Sequence, residues 1–377
     1  MLALSGIYFH IPFCSKACAY CDFHFSTSMK LKTPVLSAME AELTQRLEVC
    51  EWTNLQSIYF GGGTPSLLHA NEIQRFLDLI AKKFRIDGIE ITLEANPDNL
   101  SRETLSSLKS AGINRLSIGI QSFFDEDLVW MNRSHQARQA EQCLEDAAAA
   151  GFKELNADLI FGFPLLSDEK WMANMEKMLS YPVTHLSTYS MTVESGTALH
   201  YAIHHKKEKP MHEGQAEKQY RMIMDFLENK GWDHYEISNF CQPGHPSIHN
   251  SAYWKGNEYL GIGPSAHGYS GKERYWNMAN NAAYIKAMEA GILPEETEVL
   301  SDKNIHNEYL LTRLRTKQGI MFDEFETEFG QPLKDQLIES IRSENLFPYF
   351  FMDDYSLRLN KEGYLLADYL IAELFWD

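Results

Sequence analysis

The chain has 377 residues, 44% hydrophobic and 23% charged, which are the proportions of a soluble globular protein and not of a disordered or fibrous one. Fifty-two acidic against 34 basic side chains give a net charge of −18, which argues against a nucleic-acid partner, because such binding draws its affinity from neutralised phosphates. No stretch approaches the roughly 18 apolar residues of a membrane span, and MLALSGIYFH has neither a charged leader nor a long apolar run, so a cytoplasmic chain without a secretory signal is expected. The length fits two or three domains.

Short β-branched or aromatic runs alternate with longer amphipathic ones through the first half. Strands are predicted at IYFHIPF from Ile7, SIYFGGG from Ser57, IEITLEANP from Ile89, RLSIGIQS from Arg115, LNADLIFGFP from Leu155 and HLSTYSMT from His185. Helices are predicted over 34–48, 71–84, 101–111, 137–150 and 168–179, with Gly112, Gly151 and Gly231 placed as left-handed C-terminal caps. This alternation means parallel βαβ units with right-handed crossovers, in an open doubly wound sheet or in part of a barrel. Every strand ends in chemically useful residues. In a barrel those ends converge on one mouth, so the expected fold class is α/β, a partial (α/β)6 TIM-like barrel.

Further on, a helix is expected over 213–229, a strand at HYEISNF from His234, and a tight backbone segment from Gly261 to Gly268. The basic run from His204 to Lys209 reads as a solvated loop or helix end. From 296 the pattern becomes helical (304–315, 322–329, 333–344), then a hairpin from Phe351 to Leu359 and a final helix from Lys361. Three helices and a hairpin suggest a small winged-helix-like C-terminal domain. Acidic side chains outnumber basic ones there by roughly two to one, which favours a lid or protein-docking role over DNA binding. The expected division is 1–205 for the barrel, 206–295 for a sheet extension and 296–377 for the winged-helix-like unit.

Six cysteines in a chain without a signal argue against a disulfide framework. Cys50, Cys143 and Cys241 are scattered and read as small buried hydrophobes. Cys14, Cys18 and Cys21, in CSKACAYCDF directly after the first strand, form a C-x3-C-x2-C cluster with an aromatic at Tyr20. Two readings are open. Zinc would need a fourth ligand, for which His24 is the nearby candidate. A [4Fe–4S] cluster held by three thiolates would leave one iron open to an external chelating ligand.

The other strand ends can be read in the same way. Gly61-Gly62-Gly63-Thr64-Pro65 lets backbone approach a ligand and offers amides to a carboxylate, or it only ends a strand. Glu94 and Asp158 are acceptors suited to ribose hydroxyls, Gln121 is both donor and acceptor, and Arg133 offers a fork to a carboxylate. Each alone is also an ordinary polar residue.

With these motifs the chain resembles the radical S-adenosylmethionine superfamily, in its coproporphyrinogen-oxidase-like branch. The resemblance implies a [4Fe–4S] cluster on Cys14, Cys18 and Cys21, whose free iron is chelated by the amino and carboxylate groups of S-adenosylmethionine. Electron transfer from the reduced cluster then gives a 5′-deoxyadenosyl radical. It also implies S-adenosylmethionine contacts at Tyr8, Tyr20, Gly62, Gly63, Thr64, Glu94, Gln121, Arg133 and Asp158.

Oxidases of that branch carry a longer leader and a further cysteine two residues after the third, where this chain has Phe23. His249-Asn-Ser-Ala-Tyr253-Trp254 resembles the HNxxYW motif of HemW-type heme chaperones. The implied function is binding heme and delivering it to heme-requiring respiratory proteins, with an electron donor for the cluster. A cytoplasmic location, peripheral at the membrane through a partner, is also implied. Coproporphyrinogen oxidase activity is not expected; a radical oxidoreductase acting on coproporphyrinogen III or another substrate is the alternative, and a zinc-stabilised binding protein a third. Homodimerisation is compatible with the sequence.

Physically, His249 could ligate heme iron while Tyr253 and Trp254 line the macrocycle. Equally, His249 and Asn250 could satisfy buried backbone in an irregular loop while the aromatics fill a core. His245 and His267 are rival ligands.

Overall fold

The computed structural model describes residues 5–343 and 345–376. Six strands and their crossover helices open it: β1 Gly6–Ile11, α1 Lys32–Val49, β2 Ser57–Gly62, α2 Ala70–Ala81, β3 Glu90–Ala95, α3 Arg102–Ser110, β4 Arg115–Gln121, α4 Asp125–Trp130, α5 Ala137–Ala149, β5 Glu154–Phe161, α6 Asp168–Leu179 and β6 His185–Ser190. The strands lie in chain order and every pair is parallel. A doubly wound sheet would reverse its order at a switch point, so single winding identifies the barrel alternative. Ser101 and Ser167 cap α3 and α6 through the amides of Thr104 and Lys170, and Gly112, Gly151 and Gly231 follow their helices at positive φ, as expected.

Residue parity decides which way each side chain faces. Ile7, Phe9 and Ile11, Ile58 and Phe60, Ile91 and Leu93, and Leu116, Ile118 and Ile120 are buried on the helix side. There Phe9 stacks on Phe60 at 4.7 Å and packs on Phe76 of α2 at 4.9 Å. The alternate positions are polar: Tyr8 and His10, Ser57 and Tyr59, Glu90, Thr92 and Glu94, Arg115 and Ser117, Asn156 and Asp158, His185 and Ser187. They bond across the barrel interior; Asn156 Nδ2 alone donates to Ser117 Oγ (2.7 Å), Asp158 Oδ1 (2.7 Å) and Ser187 Oγ (3.0 Å). The interior is therefore a polar funnel, and the apolar core lies between strands and helices.

Among the described residues the sheet runs on past both ends of the barrel. After α7 (Ala198–His204) and α8 (Glu213–Asn229), β8 (Asn239–Cys241) pairs antiparallel with β6, and β7 (Asp233–Glu236) with β8. The single strand expected from His234 is thus a hairpin, turned at Ile237-Ser238 where Ser238 N–H donates to the buried Glu236 carboxylate and Tyr220 OH to the Ile237 carbonyl.

On the other flank β9 (Tyr259–Ile262), which follows α9 (Ile248–Trp254), runs parallel to β1, and β10 (His267–Tyr269), β11 (Glu273–Asn277) and β12 (Glu295–Val299) continue antiparallel. The result is a twelve-stranded sheet in the order β12-β11-β10-β9-β1-β2-β3-β4-β5-β6-β8-β7. Arg46 of α1 ties down the added strands: it bonds Glu42 (2.8 Å), Glu295 (2.6 Å) and Asn277, all largely buried, while α10 (Asn281–Glu289) supplies Tyr284 to the same Glu42. Within the segment expected to be tight, a Cβ on Gly261 would lie 1.8 Å from the His267 carbonyl oxygen, so only glycine fits.

The remainder is α11 (Asp302–Arg313), β13 (Ile320–Met321), α12 (Phe322–Phe329), α13 (Gln331–Ser343), β14 (Phe350–Met352), β15 (Ser356–Leu359), α14 (Lys361–Leu365) and α15 (Ala367–Ala372). The three strands form an antiparallel sheet in the order β13-β15-β14, the winged-helix-like arrangement. The final helix breaks at Leu366 into two. Lys361 pairs with Asp225 at 2.7 Å and Arg221 with Glu362, joining α14 to α8.

Candidate functional site

The loop after β1 carries the three cysteines, all half-buried. Cys14 N–H donates to Ser26 O (3.1 Å) and Ala19 N–H to Met131 O (3.0 Å), so the loop is pinned to its own return and to the segment after β4. Asn132 Nδ2 of that segment donates to Ala17 O, and Lys16 Nζ of the loop donates back to Arg133 O. Arg133 reaches in: Nη1 donates to Cys18 Sγ at 3.2 Å, Nη2 to Asn96 Oδ1 at 2.6 Å and to Gly119 O at 2.9 Å, and Nε is buried with no partner. Tyr20 packs beside Cys18 and Arg133.

Burial pushes the Cys21 thiol up to about 11 and raises Cys14 as well, the latter partly offset by a hydrogen bond with Thr64. Thiols held in this way deprotonate when a cation takes up the charge. Among the described residues no three His, Cys, Asp or Glu side chains converge as ligands of a single ion, whose sulfurs would lie about 3.8 Å apart at zinc–thiolate lengths. His24 is committed elsewhere, with Nε2 2.8 Å from Asn281 Oδ1. Three cysteines on one loop, with the Arg133 guanidinium on the Cys18 thiol, suit an iron–sulfur cube.

The Gly61-Gly62-Gly63 turn sits against this loop. Its amides are committed: Gly62 N–H donates to Glu94, Gly63 N–H to Ile11 O and Thr64 N–H to Phe13 O. A Cβ on Gly63 would lie 2.6 Å from Phe13 O, and one on Gly62, at φ +106°, would lie 2.7 Å from the His10 ring. These glycines let one loop cross the other, and what they can offer a ligand is carbonyl oxygen, not the amides anticipated.

Deeper in the funnel, Glu94 accepts from Tyr59 OH (2.8 Å) and Gly62 N–H (3.1 Å). Burial raises its carboxyl to about 7, with Asp158 repulsion adding to the shift. Asp158 is raised to about 6, again chiefly by burial. Gln121 ends β4 in the left-handed region at φ +66° after a bulge, and its buried Oε1 has no partner. An unpartnered amide oxygen, an unpartnered guanidinium nitrogen and two carboxyls raised by burial around one funnel mark a place built for a polar ligand.

Tyr8 OH lies 3.2 Å from His10 Nδ1 on the rim. His10, Tyr59 and Asn96 were not foreseen. Inward parity in β1 and β2 identifies the first two, and Asn96, just past the end of β3, had no separate signal.

The HNxxYW stretch is α9 rather than an irregular loop, with Ser247 as its N-cap. Glu90 accepts from the amides of Ile248 and His249. His249, 2% exposed, projects into the barrel: Nδ1 lies 2.8 Å from Ser57 Oγ, Nε2 3.1 Å from Tyr253 OH, and the ring stacks on Tyr59 at 4.8 Å. Burial lowers its pKa to about 3, so the ring is neutral. Tyr253 lines a mouth cavity of about 440 Å³ together with Tyr8, Asp22, Phe23, Glu94 and His267, whereas Trp254 lines a separate cavity beside Tyr235 and Arg313. The motif's two aromatics therefore do not share one pocket. His245 pairs with Glu154 at 2.9 Å, away from the mouth.

A singly wound six-strand barrel with three cysteines after its first strand defines a radical S-adenosylmethionine protein, and residues 8–178 match the family model described as the Radical SAM superfamily. The chain is 33% identical to the heme chaperone HemW of Lactococcus lactis over 99% of this chain and 98% of that protein. It is 35% identical to heme chaperone HemW of Bacillus subtilis over 90% of each. The chain belongs to the HemW family. Among solved structures it is similar to the coproporphyrinogen III oxidase HemN from Escherichia coli, with a TM-score of 0.84 and 21% identity over 99% of this chain and 90% of that one. At that identity the likeness is one of fold.

Proposed function

We infer that the protein binds heme and delivers it to heme-requiring respiratory proteins, and that it carries a [4Fe–4S] cluster on Cys14, Cys18 and Cys21 with S-adenosylmethionine bound beside it. The observation that carries this reading is the junction of two sites. The cavity reached by Tyr253 and His267 is walled on its other side by Asp22, Phe23 and His24, the residues that directly follow Cys21. Cargo bound there would touch the cluster loop.

Cys14, Cys18 and Cys21 would hold the cluster, which when bound would supply reducing electrons to S-adenosylmethionine chelated at its open iron. The chain's own residues do the rest. Arg133 would balance thiolate charge at Cys18, and its buried Nε and Gln121 Oε1, both without a partner, would be free to bond the ligand. Glu94 and Asp158 accept hydroxyl donors, Tyr8 and Tyr20 flank the nucleotide, and Gly62, Gly63 and Thr64 hold the loop crossing that frames it. Among the described residues no helix is long and apolar enough to cross a membrane, so a membrane-bound acceptor would be met by docking. The acidic unit 296–377 suits that task, with 206–295 forming the cargo wall and 1–205 the cofactor barrel.

Anaerobic reconstitution with iron and sulfide, followed by absorption and EPR spectroscopy, heme titration and transfer to an apo-heme protein, tests this reading. Uptake of four irons and heme transfer are expected, and Cys18→Ser should reduce iron loading severely with the chain still folded. Reconstituted protein that takes up no heme, or that converts coproporphyrinogen III to protoporphyrinogen, would refute the chaperone assignment.

A further inference from the structure

Imidazoles line the barrel from its floor to its mouth, and their nitrogens differ in availability. Both nitrogens of His249 are engaged, by Ser57 and Tyr253, inside the barrel. Both nitrogens of His10 are engaged as well, by Tyr8 OH at 3.2 Å and His24 O at 2.9 Å. His24 has Nε2 fixed on Asn281. His267 lines the same cavity and is exposed, and among the described residues neither of its ring nitrogens has a hydrogen-bond partner.

One wall of this cavity, beside the polar Asp22, Glu94 and Ser265, suits the face of a flat aromatic ligand. By strand parity His267 shares a face of β10 with Tyr269, which lies opposite Tyr259 of β9. Tyr259 meets Tyr253 edge-on at 4.6 Å and Tyr269 at 6.3 Å, so a continuous aromatic wall runs from the rim into the cavity. Phe23 faces that cavity from the cluster loop while 65% exposed. Beneath His267, Gly261 passes so close to its carbonyl that no side chain fits between them.

We propose that His267 ligates the heme iron, with Tyr253 and Tyr259 against the macrocycle and Phe23 closing over it, while His249 of the HNxxYW stretch is a plug that fixes the barrel floor and positions Tyr253. This assignment rests on the heme reading above.

The test uses the full-length reconstituted protein titrated with hemin, read by the Soret band and by EPR. His267→Ala should weaken hemin binding by about tenfold or more and abolish the imidazole-ligated spectrum. His267→Cys should convert that spectrum to a thiolate-ligated one, a change that a merely structural role would not produce. His249→Gln, checked for folding by its thermal melt, should keep the imidazole-type spectrum. A wild-type spectrum and affinity in His267→Ala would overturn the assignment, as would imidazole ligation lost in a folded His249→Gln or in His24→Ala but kept in His267→Ala. Failure of the wild-type protein to bind hemin at all would instead remove the heme reading itself, and this ligand assignment with it.

Discussion

Strand β3 carries two carboxylates on one face, four residues apart, at opposite ends of the same barrel. Glu90, at the closed end, is fully employed: it accepts from Ser247 Oγ and from the amides of Ile248 and His249, with the Arg115 guanidinium 3.9 Å away. Glu94, at the mouth, accepts only two hydrogen bonds and faces the like charge of Asp158. One carboxylate anchors the helix that plugs the barrel; the other is held under-bonded where a ligand can complete its shell. Depth in the barrel, rather than residue type, separates the acid bonded into the fold from the acid proposed to bind a ligand.

Substitutions can break that contrast. Glu90→Ala should have the largest effect on stability, a loss of roughly 3–5 kcal/mol in urea unfolding, because Arg115 and the first turn of α9 lose their buried acceptor. Glu94→Gln should act in the opposite direction. In the folded chain Glu94 titrates near 7, above its unfolded value, so between about pH 4.3 and 7 the folded state holds a proton that the unfolded chain has released, and stability falls as pH rises. The amide removes that penalty. The variant should gain up to about 3 kcal/mol over wild type at pH 8 and nothing at pH 4, while losing affinity for S-adenosylmethionine in a binding titration. Equal destabilisation at both pH values would show that Glu94 is structural after all. Ser57→Ala should have the smallest effect, about 1 kcal/mol for the lost bond to His249 Nδ1, with hemin binding unchanged.

Much of the barrel was legible because period-two alternation, strand-end residues and glycine caps all agreed. All six parallel strands stand where the alternation placed them, and the cysteine loop follows the first. The same alternation contained more than was taken from it: Glu90 and Glu94 in IEITLEA, and Arg115 and Ser117 in RLSIG, show the inward polar face directly.

Beyond β6 the signal weakened, because β8 to β13 are two to five residues long, too short for a period to show. The His234–Phe240 run carries no Gly or Pro at its turn, so tertiary bonds to Glu236 and Ile237 make the hairpin. His249 was marked by its motif, yet only the structure shows both nitrogens engaged. The left-handed Gln121 follows from a bulge that no local sequence rule specifies.

The position of β1 also sets an order of assembly. It lies between β2, reached after some fifty residues of chain, and β9, whose register with Gly6 through Phe9 spans roughly 250 residues. During synthesis the strand leading into the cysteine loop therefore keeps one bare edge for the tens of seconds needed to make the rest of the chain, open to mispairing. β1 is thus made before both of its neighbours and completed only with the later of them.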